Sequence, residues 1–406
     1  MIGRIAVVTA LLAAACGTPA ASGLSSPTYR PTAAAVAERL LIEGEGSSQL
    51  VDTGSGRVVA TLPGGLVSPA RDLVAHVEAS AGMSVVSATD VSGAARFTLT
   101  IPGDYKLSSA YGPSPSGFSP NGKWLVLVAR DASESRFAVI DVAHGKLAKT
   151  VTLSSRFSFD AIHNDGSAMY LIEHPQPGAT SYNVRFYDLN ASLLRPDIIF
   201  DKAAVAQWDP TVGLMDGTFH VSVAPKTGDW NYGLYMRPNG KPFVHALNVP
   251  GHYAQCILDV AGTASTSSMF SLALTDDGGK LYVIDSVIGN ISVIDGSTQK
   301  VIRSATFRTT GLPGDPRASS AVVSKDGSRL YAVAARGVAV LTTTDLALKG
   351  WADADHVARS LALSSDGARL YALTTDGIDI VDTTTNRVLS RLDLGAGARA
   401  LHILPR

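Results

Sequence analysis

Three segments in the second half of this chain are copies of one another. Residues 271–307 read SLALTDDGGKLYVIDSVIGNISVIDGSTQKVIRSATF, residues 320–351 read SAVVSKDGSRLYAVAARGVAVLTTTDLALKGW, and residues 360–394 read SLALSSDGARLYALTTDGIDIVDTTTNRVLSRLDL. Each unit opens with a short apolar run, turns at Asp-Gly, and resumes at Leu-Tyr. It then gives a third run ending near Asp or Thr, a Thr-rich turn, and a fourth run. Asp-Gly at 277–278, 326–327 and 366–367 supplies the positive φ of a tight hairpin. Alternation around Leu281, Val283 and around Leu370, Ala372 marks β-strands. Helical periodicity is nearly absent beyond the N-terminus.

Weaker copies run upstream. Residues 117–153 place Asn121-Gly122 in the first turn, and Asp165-Gly166 precedes Met169-Tyr170. Residues 223–249 turn at Thr227-Gly228, and residues 66–99 form a degenerate unit. A period of this length means stacked supersecondary units, because one such unit cannot bury its apolar faces alone. A chain of 406 residues would otherwise read as two or three domains. The segment ARALHIL (398–404) looks like a first strand with no successor, and RLLIEGEGSSQLVDTGSGRVVATL (39–62) looks like the other three. Joining them closes a ring and removes exposed strand edges. The expected fold is all-β: a single β-propeller of four-stranded antiparallel blades, closed by a composite N-/C-terminal blade. Repeat counting gives eight blades. Seven is the alternative, if 200–262 or 66–103 is misread.

The units resemble the YVTN repeat family of β-propellers, which includes bacterial exported proteins, lipoproteins and lactonase-like relatives. The resemblance covers residues 38–406. It rests on the S-x-D-G-x-x-L-Y pattern at Asp366, Gly367, Leu370 and Tyr371, and on V-D-x-x-T at Val381, Asp382 and Thr385. It implies blades, an extracytoplasmic location and a binding role, and it names no chemistry.

The first residues, MIGRIAVVTALLAAACGTPAAS, have a signal-peptide layout. Arg4 is the positive n-region, and Ile5 to Ala15 is an apolar run too short to span a bilayer comfortably. Ala13-Ala14-Ala15-Cys16 resembles the lipobox of bacterial lipoproteins, with Ala13 where a larger aliphatic residue is usual. The reading is therefore a lipoprotein signal over 1–15, lipidation of Cys16, a Ser/Thr/Pro-rich tether over 16–37 and the propeller over 38–406. It places the protein on the outer face of the cytoplasmic membrane, held by lipid alone. The alternative is cleavage at an A-x-A site and secretion. With Cys256 as the other cysteine, no disulfide framework is expected.

A net charge of −1 argues against nucleic acid, which needs a basic footprint. Asp52-Thr53-Gly54-Ser55 matches half of an aspartic-protease signature, but no second D-T-G occurs and the position suits a turn. His245, His252, Cys256 and Asp259 cluster in sequence, yet a core His and a buried structural Cys account for them, so no metal and no cofactor is expected. The longer loops, 104–116, 173–182, 201–217 and 308–317, fall on one face of the ring. They direct attention to Tyr105, Tyr111, His174, Tyr182, Trp208, Asp209, Asp315 and Arg317 as a ligand-binding rim. The expected function is a binding scaffold for an envelope protein, a wall glycan or a small molecule, acting as a monomer. The competing expectation is a metal-dependent lactonase-like hydrolase, with carboxylates converging on the channel.

Overall fold

The computed structural model describes residues 28–30 and 38–404, apart from 45, 112–114, 132, 176–177, 179, 200–214, 264–269, 308–319, 335, 354–355 and 395–396. Eight antiparallel sheets are arranged as the blades of a propeller. Blade 1 is composite. Its inner strand Ala400–Ile403 pairs with Arg39–Glu43, which is followed by Ser47–Asp52 and Arg57–Pro63. The register sets Leu40 opposite Ile403 and Ile42 opposite Leu401. The degenerate stretch is a complete blade 2, with strands Leu66–Val67, Leu73–Ser80, Met83–Asp90 and Ala95–Pro102. Blades 3 to 8 follow in chain order, and the inner strands of blades 5, 6, 7, 8 and 1 neighbour one another in turn. Two blades gain a strand: Met215–Asp216 pairs with Ser181–Tyr182 of blade 4, and Thr28–Arg30 pairs with Arg391–Asp393 of blade 8. Those three N-terminal residues lie in the stretch expected to be a tether.

The repeated turn has a chemical reason. In blade 8 the Gly367 N–H donates to the Ser364 carbonyl (2.8 Å). Ser364 Oγ donates to Asp366 Oδ1 (2.6 Å) and accepts from the Arg369 N–H (2.8 Å), while Asp366 Oδ1 also accepts from the Ala368 N–H (2.9 Å). Glycine alone takes the positive φ, so this is a type I turn with a left-handed residue after it, not the mirror-image turn that Asp-Gly suggested. The glycines at this position in blades 3 to 8 (122, 166, 228, 278, 327 and 367) have φ between 69° and 75°.

Apolar side chains form eight buried clusters among the described residues, one at each seam between neighbouring blades. The recurrent tyrosine of the second strand stitches these seams. Tyr170 of blade 4 donates to the Val249 carbonyl of blade 5, and Tyr232 of blade 5 accepts from Gln299 of blade 6 (2.9 Å). Tyr371 of blade 8 donates to Glu38 of blade 1 (2.9 Å), whose carboxylate also accepts from the Ser365 N–H (2.8 Å) and Oγ (2.6 Å). A buried carboxylate with three donors thus latches the last blade to the first.

Candidate functional site

An up-and-down blade sends its first and third turns to one face of the ring. Its second turn and the connection to the next blade go to the other face. Of the loops of the expected rim, the described parts of 104–116 and 173–182 belong to the second face, and 201–214 and 308–317 lie outside the described residues. His174 is half-buried there, with Nε2 3.1 Å from Ser158 Oγ, and burial lowers its pKa. Tyr105 and Tyr182 are not on the rim. Both rings are core, 2% and 1% exposed, because each sits beside the start of a strand and fills a seam. The Tyr105 N–H donates to Ser84 Oγ (2.7 Å), and the Tyr182 ring stacks on Tyr235 with centroids 5.0 Å apart. Tyr111 ends a 3-10 turn, Ser108–Tyr111. Trp208, Asp209, Asp315 and Arg317 lie outside the described residues.

The other face holds a cavity of about 330 Å³ at the mouth of the channel. Its wall comes from the first turn of blade 2 and the inner strands of blades 3, 4 and 5. Asp160 lies on the blade 4 inner strand Phe157–Ile162, at a bulge between Phe159 and Ala161. A bulge re-aims one side chain, and here it turns a carboxylate into a strand that otherwise buries Phe157, Phe159 and Ile162. Asp160 is 3% exposed; Asn231 Nδ2 donates to its Oδ1 (3.2 Å), and no donor reaches Oδ2. Burial pushes its carboxyl up to about 7, with the Asn231 bond opposing the rise.

Arg71 faces the same cavity from blade 2. Its N–H donates to the Ser68 carbonyl (2.8 Å), the backbone bond that closes this turn in blades 3 to 8, and Leu73 N–H reaches Ser68 Oγ (3.3 Å), as the matching hydroxyl does in blades 3, 6, 7 and 8. Arg71 therefore occupies the left-handed position that blades 3 to 8 give to glycine, at φ 60°. A long side chain there costs on the order of 1 kcal/mol. Its Nη1 donates to the Ile403 carbonyl of the composite blade (3.2 Å), and the residue stays solvent-exposed. Lys226 and the Trp230 ring complete a wall that joins one carboxylate, two cations and an aromatic face. Among the described lining residues Asp160 is the one carboxylate.

A second cavity, about 460 Å³, lies between the first turns of blades 6 and 7. Two of its three carboxylates serve their own turns: Thr275 Oγ1 donates to Asp277 (2.6 Å) and Ser324 Oγ to Asp326 (2.5 Å). These bonds hold Asp326 down at about 2, and the surface is ordinary solvated turn.

The other candidate motifs resolve separately. Asp52 Oδ1 accepts from the Ser55 N–H (2.8 Å) and Oγ (2.7 Å), the capped turn expected of D-T-G. His245 is core at 2% exposure, His252 Nδ1 is 2.5 Å from Tyr170 Oη, and Asp259 pairs with Arg237 (2.7 Å), so these three do not converge. Among the described residues the one group of histidine and carboxylates close enough to share an ion is Asp353, His356 and Asp379, at the seam of blades 7 and 8.

Sequence reading passed over Arg71 and Asp160, although both left a signal. SPARDL (68–73) aligns with SSDGAR (364–369) and puts Arg where Gly belongs, and FSFDAI (157–162) carries a charge inside an inner strand.

No protein-family model matches the sequence, and no curated protein matches it. Among solved structures the chain is similar to AztD of Citrobacter koseri, at 13% identity over 91% of this chain and 98% of that one, with a TM-score of 0.58. It is also similar to the dihydro-heme d1 dehydrogenase NirN in complex with DHE, at 12% identity over 90% of this chain and 75% of that one, with a TM-score of 0.57. These likenesses concern the fold.

Proposed function

We propose that this chain is an exported, lipid-anchored propeller of the YVTN type that binds a small polar molecule at the mouth of its channel. The observation behind this reading is the strained Arg71 turned toward a cavity that also holds Asp160, a buried carboxylate with an unmet oxygen. Strain kept where glycine would be free, together with an unsatisfied buried acceptor, suits a ligand that satisfies both. The complementary molecule carries a hydrogen-bond donor or amine toward Asp160, an anionic group toward Arg71 and Lys226, and a flat or apolar part for Trp230.

The hydrolase reading needs several carboxylates around a metal. One carboxylate with an amide neighbour and two cations is a poorer set for that and a better one for recognition. A rigid closed ring with loops on both faces is also the usual scaffold for binding.

Arg71→Gly separates stability from function. It restores the turn residue of the other blades, so stability should be equal or higher by up to about 1 kcal/mol. A thermal-shift screen of small amines, amino acids and organic anions against the full mature chain should give hits that Arg71→Gly and Asp160→Asn both abolish. Hits that persist in both variants but vanish in Trp208→Ala or Arg317→Ala would move the ligand to the long-loop rim.

The anchor has its own test. Cys16→Ser should move the protein from the membrane fraction to the soluble one, or leave the precursor unprocessed. A variant that stays membrane-bound and is processed normally would remove the lipid anchor from this reading.

A further inference from the structure

We propose that the seam of blades 7 and 8 binds one divalent transition-metal ion through Asp353, His356 and Asp379. Asp353 and His356 lie on the connection that leaves the blade 7 outer strand Leu348–Ala352. Asp379 lies on the blade 8 third strand, Gly377–Asp382. The site is thus on the face opposite the channel cavity and is independent of it.

Two carboxylates are buried together here, Asp353 at 5% exposure and Asp379 at 1%. His356 Nδ1 is 2.9 Å from Asp353 Oδ1 and 3.1 Å from Asp379 Oδ2. One imidazole N–H cannot serve both oxygens well, and Asp353 Oδ2 has no donor at all. Separations near 3 Å are the edge lengths of a coordination shell with bonds of about 2.0–2.1 Å. An ion in that position would take the Nδ1 lone pair and both carboxylates, removing the like-charge repulsion and the unmet acceptor together.

Arg391 supports this arrangement from behind. Its Nε and Nη2 donate to the two oxygens of Asp379 (2.5 and 2.6 Å), fixing the carboxylate plane as outer partners of metal ligands do. The mixed nitrogen and oxygen set suits Zn²⁺ or Mn²⁺ better than Ca²⁺ or Mg²⁺, which prefer oxygen alone. The His356 side chain is 37% exposed, so the ion keeps positions for water. Bound there, it would clip the interblade connection to the next blade.

The test uses the full mature chain made without a histidine tag, stripped with EDTA and titrated with ZnCl₂ and with MnCl₂ by calorimetry at pH 7.5. We expect one ion per chain for at least one metal, a melting temperature several degrees higher at saturation, and no comparable effect of MgCl₂. Asp353→Asn and His356→Ala should each weaken binding at least tenfold, and His144→Ala, at an exposed histidine elsewhere, should not. Circular dichroism checks that the variants fold, and His356→Ala tolerates truncation because its ring is partly exposed. Absence of saturable uptake overturns the site, as does uptake unchanged in His356→Ala.

Discussion

Removing residues 399–406 should unfold the ring. The strand Ala400–Ile403 carries Leu401, 3% exposed, and is followed by Leu404, 5% exposed. Leu401 belongs to the seam between blades 8 and 1, and Leu404 to the seam between blades 1 and 2. Losing two buried leucines costs about 2–3 kcal/mol each, and the stripped edge of Arg39–Glu43 loses its ladder. The sum, about 5 kcal/mol or more, is comparable with the whole stability of an ordinary domain. The truncated chain should melt far below the full one or fail to accumulate. Glu38→Ala, which leaves the strand but removes the latch to Tyr371 and Ser365, should show a smaller drop of about 2–4 kcal/mol. An unchanged melting temperature after truncation would contradict the closure.

Asp160→Asn should make the protein more stable in alkali relative to the parent. Burial raises the Asp160 carboxyl from 3.8 to about 7, so between those values the folded chain holds a proton that the unfolded chain has released. Stability from this group is therefore highest at low pH, falls as pH rises through that window, and is fully lost above about pH 7. Linkage at about 1.4 kcal/mol per pKa unit gives a fall of roughly 2–3 kcal/mol between pH 5 and pH 8. Asparagine keeps the shape and a hydrogen bond to Asn231 without the charge. Urea unfolding of both proteins at pH 5 and pH 8 should show the advantage of Asp160→Asn growing by that amount. Parallel pH profiles would mean that Asp160 is solvated or already paired, and would also weaken the channel as a ligand site.

What the amino-acid order determined by itself is the blade. Ser364, Asp366 and Gly367 close a turn within six residues through bonds to their own backbone, so the motif is legible wherever it recurs. The Leu-Tyr that follows is equally legible, because it recurs at a fixed offset from the turn and opens a short apolar run that is buried on both faces rather than in the expected alternation. Ring closure could be read as well, since an unmatched first strand and three unmatched partners have one economical solution. Even blade 2, whose turn lacks Asp-Gly, keeps the Ser68 bonds that make the turn.

The tertiary structure alone decided which side chains meet. Loop length pointed to one face, but Tyr105 and Tyr182 are core because an aromatic beside a strand end is drawn into the nearest seam. Arg71 and Asp160 stand 89 positions apart in sequence and line one cavity because the ring brings blades 2 and 4 around a common channel. Asp353 and Asp379 come from adjacent blades, and their contact depends on how the blades pack. Local bonds repeat along the chain and so leave a pattern in it. Contacts between blades depend on the angle and spacing of whole sheets, which no short stretch of sequence records.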